Sequence, residues 1–494
     1  MNPGILDPFF SHQMGEEPKM SEILLIHPKE GERVFGGMPP LGLAWIASYL
    51  ESEKYSVTLI DLQISDKTFA KILEETKPKI LGIAGTSHTR YESFKLAKEA
   101  KAYDKDIFVL YGGSHATFTA EDSLKHVPEM DVVVRGEGEI STLQVVETVL
   151  RNRQDLSEID GISYRTNGKI IHNEPRQRIQ DLDRLPFPRR NMEEMKKYDL
   201  KMDFLDIPAA SIMSSRGCPI NCSYCSASAM FGVKLTLRSA RNVVDEIEQL
   251  LTDYGVKGIK FFDSTLTLKR SHILSLCEEI NRRRLKFPWE CEIRVNTVDK
   301  DLLKTMKDAG CYYMDFGVES ASPRVLKEMH KGISIGQVEN VFKWTKEIGL
   351  LTKVFFTFGH IGETIEDARI TMDFIDRHKD FITSQGGGVG IKIYPGTRVE
   401  RYAYETGCLA EDFSWAAPYH DEKAEFFGGA PHVPLLIQPQ MGYKELSQLR
   451  YTLIRKKLKH PINAVRAVKD AWDKNNLKKV WTVAKGIIRT RLSH

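Results

Sequence analysis

Long apolar runs are missing from this sequence of 494 residues, and none approaches the length of a membrane-spanning helix. Residues 1–19 contain Pro3, Pro8, Glu16, Glu17 and Pro18 and have no apolar centre, so they do not read as a signal peptide. Cysteine is scarce. There are seven, none in the paired spacing of a disulfide framework, so a reducing cytoplasm is the expected compartment. Neither sign of charge dominates, since 70 Lys and Arg face 67 Asp and Glu, and the total points to no class of partner. What remains is 41% hydrophobic and 28% charged, as in a globular protein long enough for two or three domains with sizeable cores.

Three of the seven cysteines crowd into one loop. Cys218, Cys222 and Cys225 follow a β-rich run at 209–214 with C-x₃-C-x₂-C spacing. Three thiolates suit the soft irons of a [4Fe–4S] cluster and leave its fourth iron open to an external ligand. Tyr224, beside the last cysteine, is placed to pack against an adenine ring. A structural zinc ion is the competing reading, but it needs four closed ligands, and no further Cys and no His lies between Lys201 and Met230. Cys277, Cys291, Cys311 and Cys408 are scattered and read as small buried hydrophobes.

Around this loop the chain alternates twice between strands and helices. Apolar runs at 23–27, 57–61, 80–84, 108–111 and 132–134 read as buried parallel strands of a doubly wound, Rossmann- or flavodoxin-like sheet. Ligands of such sheets sit beyond the strands' carboxyl ends. The sequence places Thr86, Ser87 and His88 there, then Gly112, Gly113, Ser114 and His115, then Gly136, Glu137, Gly138 and Glu139. Asn167-Gly168 between two alternating runs signals a type I′ hairpin within a connector at 159–205.

A second alternation has strands expected at 209–214, 258–262, 290–295, 313–318, 353–358 and 389–394. It makes a partial (β/α)₆ barrel, whose site gathers at the strands' carboxyl ends. The segments are therefore 1–20, a flexible start; 21–158, the first sheet; 159–205, the connector; 206–405, the barrel; and 406–494, a capping and basic helical region. Asp263, Arg294, Asn296, Gly317, Glu319, Ser320, His360 and residues 394–397 converge on the barrel mouth. His360 reads either as a loop residue bonded to backbone or as a group specific to this enzyme's substrate.

The cysteine motif, with its aromatic before the last cysteine, resembles that of the radical S-adenosylmethionine (SAM) superfamily. The glycine loops, together with Met38-Pro-Pro-Leu-Gly-Leu43, resemble the cobalamin-binding domain that precedes the radical domain in a large subfamily. The resemblance implies that the open iron chelates SAM and that reduction yields a 5′-deoxyadenosyl radical. It implies SAM contacts at Tyr224, Asp263, Arg294, Gly317, Glu319 and Ser320. Glu319 suits ribose hydroxyls and Arg294 a carboxylate. Cobalamin contacts are implied at Thr86, Ser87, Gly112, Gly113, Ser114, Gly136, Glu137 and Gly138. The Asp-x-His-x-x-Gly pattern that supplies a cobalt-ligating histidine is absent, and His88 and His115 have the wrong spacing for that role. Ser264 stands where the family often has a second acid.

The expected outcome is methylation of an unactivated carbon of a small-molecule or lipid-linked substrate, with flavodoxin or ferredoxin as electron donor. Radical cyclisation or oxidative rearrangement is the alternative within the family, and a non-catalytic corrinoid-binding regulator the alternative outside it. A nucleic-acid substrate is not expected, because no stacking surface is legible. Residues 441–494 hold 14 Lys and Arg against 3 Asp and Glu. Within them, Leu477, Val480, Trp481, Ile487, Ile488 and Leu492 share one half of a helical wheel and Lys478, Lys479, Lys485 and Arg489 the other. This pattern fits packing on the barrel or a peripheral contact with anionic membrane.

Overall fold

The computed structural model describes residues 22–30, 37–427 and 431–459. The five apolar runs form β1 (Ile23–His27), β2 (Val57–Asp61), β3 (Ile80–Ala84), β4 (Phe108–Gly112) and β5 (Val132–Val134). They run parallel in the order β2-β1-β3-β4-β5. Each run is apolar throughout because both faces are covered. Leu24 and Ile26 pack with Ile72, Leu73 and Phe94 on one side, and Ile23 and Leu25 with Leu43, Ala47 and Val145 on the other.

The hairpin is β6 (Ile162–Thr166) and β7 (Lys169–His172), turning through Asn167 (φ 49°) and Gly168 (φ 75°). The sequence reading places it in a connector, but in the structure it belongs to the first sheet. β6 pairs antiparallel with β5 and makes the hairpin the edge of a seven-stranded first sheet. Ile162 and Tyr164 are apolar on the face that continues the sheet's core, which draws the hairpin onto it.

The second sheet begins at β8 (Ala209–Ile212). A two-residue pair follows, β9 (Ser215–Arg216) with β10 (Thr236–Leu237), and then β11 (Gly258–Phe261), β12 (Trp289–Ile293), β13 (Cys311–Glu319), β14 (Leu351–Phe356) and β15 (Ser384–Gly386). β8, β11, β12, β13, β14 and β15 are parallel neighbours in that order, an open six-stranded barrel wall. Its outer face packs on amphipathic helices such as Ala240–Asp253, through Val243, Val244 and Ile247. The helix Ile335–Ile348 opens with the Ser334–Gln337 capping box that the sequence announces.

The sixth strand is not at 389–394. It is β15, five residues earlier, paired with Lys353–Phe355 of β14. Gly387 then turns the chain away at φ 82°, where a Cβ would stand 2.0 Å from the Phe356 carbonyl oxygen. The apolar residues that suggested a strand, Ile391 and Ile393, are buried instead with Val399, Leu409, Trp415 and Leu436 of the capping region.

That region also binds the first domain. Buried Arg90 donates to the carbonyls of Ser87 (2.5 Å), Trp415 (2.9 Å) and His432 (2.6 Å), and Asp122 accepts from Ser414 Oγ and Ala416 N–H, both at 2.8 Å. Among the described residues no helix is long and apolar enough to cross a membrane, and the basic segment 477–492 lies outside them.

Candidate cofactor site between the two sheets

The cysteine loop leaves β9 at the barrel's mouth. Cys218 and Cys222 are buried and Cys225 half-buried, and all three are free thiols. Burial raises the Cys218 and Cys225 thiols above their ordinary range, each further raised by a neighbouring thiol, while nearby Lys331 pulls both down. Thiols held back from ionising, as Cys218 and Cys225 are, fit a site made for iron, which deprotonates its thiol ligands outright. A cubane takes one thiolate on each of three irons, and these three side chains supply that number from one loop. Arg294 Nη1 lies 4.0 Å from Cys222 Sγ.

Beside the cysteines a second group of buried side chains closes on Glu319. A register shift in β13 between Gly317 and Glu319 re-aims the carboxylate, and Glu319 takes φ 66°, a conformation that costs about 1–3 kcal/mol outside glycine. Its Oε1 accepts from Lys331 Nζ and Tyr224 OH, both at 3.1 Å, and its Oε2 from Thr357 Oγ1 at 2.8 Å. Burial pushes this carboxyl up, but Lys331, His360 and Thr357 outweigh it and hold Glu319 below the usual carboxylate range. Gly317 makes the room, since a Cβ there would meet Glu319 Oε1 at 2.1 Å. Arg294 is held by its donation to the Lys331 carbonyl, and its Nε is 3.3 Å from Asn296 Oδ1. Lys331 and Thr357 are site residues that the sequence reading missed. His360 bonds Thr357 Oγ1 at 2.7 Å and meets the Tyr224 ring edge-on, which places it in this network.

Two expected SAM contacts are engaged elsewhere. Asp263 is buried and accepts from Ser214 N–H, from Ser214 Oγ at 2.9 Å and from Ser215 Oγ, so it fastens the base of the cysteine loop. Ser320 is fully buried against the helix Ile365–Arg377, 3.1 Å from Thr371 Oγ1. Each side chain is thus bonded to the protein's own groups rather than open to the mouth.

On the first sheet, the glycine loops border an apolar cavity of about 230 Å³ that reaches down to Leu25, Gly82, Leu110 and Val134. An apolar cavity of about 150 Å³ accepts a benzene ring, so this one has room for a fused two-ring base such as ends the nucleotide tail of cobalamin. A Cβ at Gly112, which lines the cavity, would meet nothing closer than 3.8 Å, so a larger side chain there can be accommodated at the cavity's expense. Gly113 is different: φ is 101° and a Cβ would stand 2.6 Å from the Gly85 carbonyl oxygen. Gly136 has φ 76°, and a Cβ on Gly138 would meet Ile46 Cδ1 at 2.8 Å. Glu137 lines the cavity and is also paired within the protein. Its two oxygens accept from Arg216 Nη1 and Ile179 N–H, both at 2.8 Å, while Arg216 Nη2 bonds Glu139 at 2.6 Å. Arg216 is two residues before Cys218, so a buried ion-pair strut joins the two sheets' loops.

Thr86, Ser87, His88 and Ser114 line a second cleft, of about 350 Å³, whose far wall is Ser226, Tyr394 and Pro395. His88 Nε2 and Tyr394 OH meet across it at 2.9 Å, and Ser87 Oγ bonds His115 Nδ1 at 3.0 Å. Burial keeps both histidines neutral, pushing His88 down to about 4 and His115 well below its ordinary range. The loops of the two sheets thus face each other across one gap.

Residues 31–146 match the family model described as the B12 binding domain, and residues 212–375 that of the radical SAM superfamily. An uncharacterized methyltransferase of Pyrococcus horikoshii is 37% identical over 401 residues, 79% of this chain and 84% of the relative. The chain belongs to the cobalamin-binding radical SAM family. An anaerobic magnesium-protoporphyrin IX monomethyl ester cyclase of Rubrivivax gelatinosus is 31% identical, over 70% of this chain and 63% of the relative. The same fold is found in OxsB, a cobalamin-dependent SAM radical enzyme solved with aqua-cobalamin and SAM, at TM-score 0.72 and 16% identity, over 94% of this chain and 71% of that one. As a cobalamin-binding radical SAM enzyme, the protein takes a [4Fe–4S] cluster, SAM and cobalamin.

Proposed function

We propose that this enzyme transfers a methyl group to an unactivated carbon of a small molecule held between its two sheets. The observation that carries the reading is that the glycine loops of the first sheet share their cavity with Met213, Arg216, Met230 and Phe231, which flank the cysteine loop, so the two cofactors would meet there. When bound, the cluster and SAM supply a hydrogen-abstracting radical and cobalamin supplies the methyl group. Cys218, Cys222 and Cys225 hold the cluster. Arg294 faces the SAM carboxylate and Glu319, kept ionised, its ribose hydroxyls, while Lys331 and Thr357 fix the Glu319 carboxylate in place. Tyr224 offers its ring to the adenine. Gly112, Gly136 and Gly138 give the corrinoid's tail its room, and Thr86, Ser87 and Ser114 offer hydroxyls to the corrin edge. The capping region's Ser414, Trp415 and Ala416 bridge from the barrel to the first domain through Arg90 and Asp122.

The relatives include a cyclase, which favours a second reading, radical cyclisation without methyl transfer. Anaerobic turnover with SAM separates the two. Methylation releases S-adenosylhomocysteine and 5′-deoxyadenosine in equal amounts, whereas cyclisation releases 5′-deoxyadenosine alone. Flavodoxin or ferredoxin is the proposed reductant. A membrane contact rests on the amphipathic pattern at 477–492 and is tested by salt-sensitive co-sedimentation with anionic liposomes. A version ending at Asp473 should lose it, and equal sedimentation of both versions would end the idea.

A further inference from the structure

Below the cofactor mouth, the strand register aligns Glu292 of β12, Asp315 of β13, Lys353 of β14 and Ser384 of β15 in one row. Their neighbours Cys291, Ile293, Met314, Phe316 and Val354 pack on the outer helices, so the row faces the barrel's interior. Glu292 stands two residues below Arg294 on the same face, about 7 Å along the strand. Beneath the row the floor is closed and paired. Lys260 meets Glu290 at 2.5 Å, and Tyr312 OH bonds Glu290 at 3.0 Å and the Asp203 carbonyl at 2.6 Å.

The row itself is not balanced. Lys353 reaches Asp315 Oδ2 only at 3.6 Å, and Asp315 Oδ1 is buried without a partner. Glu292 is exposed to the interior and, among the described residues, has no ion-pair or hydrogen-bond partner. Water can reach Glu292 within the barrel, but the surrounding wall still desolvates it; this, and then Asp315, push Glu292 up to about 7, while burial pushes Asp315 up to about 6 against the pull of Lys353. Two carboxylates thus face one ammonium inside a wall that otherwise pairs its charges. The rings of Phe262, Phe355 and Tyr313 share this inner face, with Lys353 Nζ 5.0 Å from the Phe355 centroid.

We propose that this row is the substrate-recognition site, in which Glu292 and Asp315 hold a cationic nitrogen of the substrate, such as a protonated amine, and so present a neighbouring carbon to the mouth. The inference rests on the methyl-transfer reading and names its substrate class. An uncharged lipid entering the barrel would strip water from both carboxylates without replacing it, and an anion would meet two like charges. A cation relieves both.

The test uses the full-length enzyme loaded anaerobically with its three cofactors, a reductant and SAM labelled in its methyl group. Three fractions of the source cells are offered: small molecules retained by a cation exchanger, those retained by an anion exchanger, and solvent-extracted lipids. Label should enter the first. Glu292→Gln and Asp315→Asn should then raise the apparent KM for that fraction at least about tenfold with kcat kept within about twofold, and Lys353→Met should lower it. Label confined to the anionic or lipid fraction overturns the assignment and leaves methyl transfer standing. So does a KM that falls with Glu292→Gln and rises with Lys353→Met. Release of 5′-deoxyadenosine with no labelled product in any fraction overturns methyl transfer, and this inference with it.

Discussion

At the scale of single residues, spacing reveals ligands better than it reveals the groups that hold them. The three cysteines are legible because chemistry demands them close together in sequence. Alanine at Cys218, Cys222 or Cys225 should abolish the visible absorbance of the reconstituted cluster and all release of 5′-deoxyadenosine. Loss of buried Cys277 or half-buried Cys408 should do neither. Lys331 was not legible. It follows a helix end in His330-Lys331-Gly332, where a lysine ordinarily faces water, and only the fold carries it to Glu319 and Tyr224. Its removal has a signed consequence. In the native enzyme the partners of Glu319 overcome burial, so its carboxylate is ionised above the ordinary carboxylate range, and SAM binding should vary little from pH 6 to 8. In Lys331→Met burial prevails, Glu319 takes up a proton as the pH falls, and the acid limb of kcat/KM for SAM should move up by about one to three pH units. Lys331→Arg should restore most of the native profile. An acid limb unmoved in Lys331→Met would remove Lys331 from the site.

At the scale of elements, apolar runs and turn residues located ten of the eleven parallel strands, together with the hairpin at Asn167-Gly168. The miss at β15 has a physical cause. Ser384-Gln385-Gly386 carries no apolar signal because it is a short edge strand, and the stronger run at 389–394 owes its apolarity to the cap. Asp263 and Ser320 show the same limit within a loop: their position at a strand end was readable, but the partner each had already engaged was not. The glycine loops allow a sharper test than sequence alone permits. Leucine at Gly112 points into the cavity with no backbone in its way, so the protein should stay folded and copurify with little cobalamin. Alanine at Gly113 strikes the Gly85 backbone at a positive φ and should lower Tm as well as cobalamin content. Equal cobalamin content in native protein and Gly112→Leu would detach the tail from this cavity.

At the scale of the whole molecule, the two domains are readable one at a time, while the way they meet is not. Nothing in the spacing of Glu137, Glu139 and Arg216 announces a contact, because the partners lie 79 and 77 residues apart and each resembles a cofactor-loop residue in its own right. All three are buried, and the guanidinium also lies 5.0 Å from the Trp45 ring centroid. Such a strut adds little net stability compared with well-packed apolar groups, but removing one partner leaves charges stranded, at about 3–5 kcal/mol. Arg216→Met should therefore lower the free energy of unfolding by about that amount in denaturant titrations, and Glu137→Gln with Glu139→Gln in the same chain should recover much of it. The cofactor readout distinguishes a strut from a general stabiliser. Because Arg216 joins the corrinoid loop to the strand that launches the cysteines, Arg216→Met should lose cobalamin and cluster iron together, at a temperature where the circular dichroism remains native. Loss of cobalamin with full cluster content would confine Arg216 to the first domain's ligand, and the two cofactor sites would then be built independently.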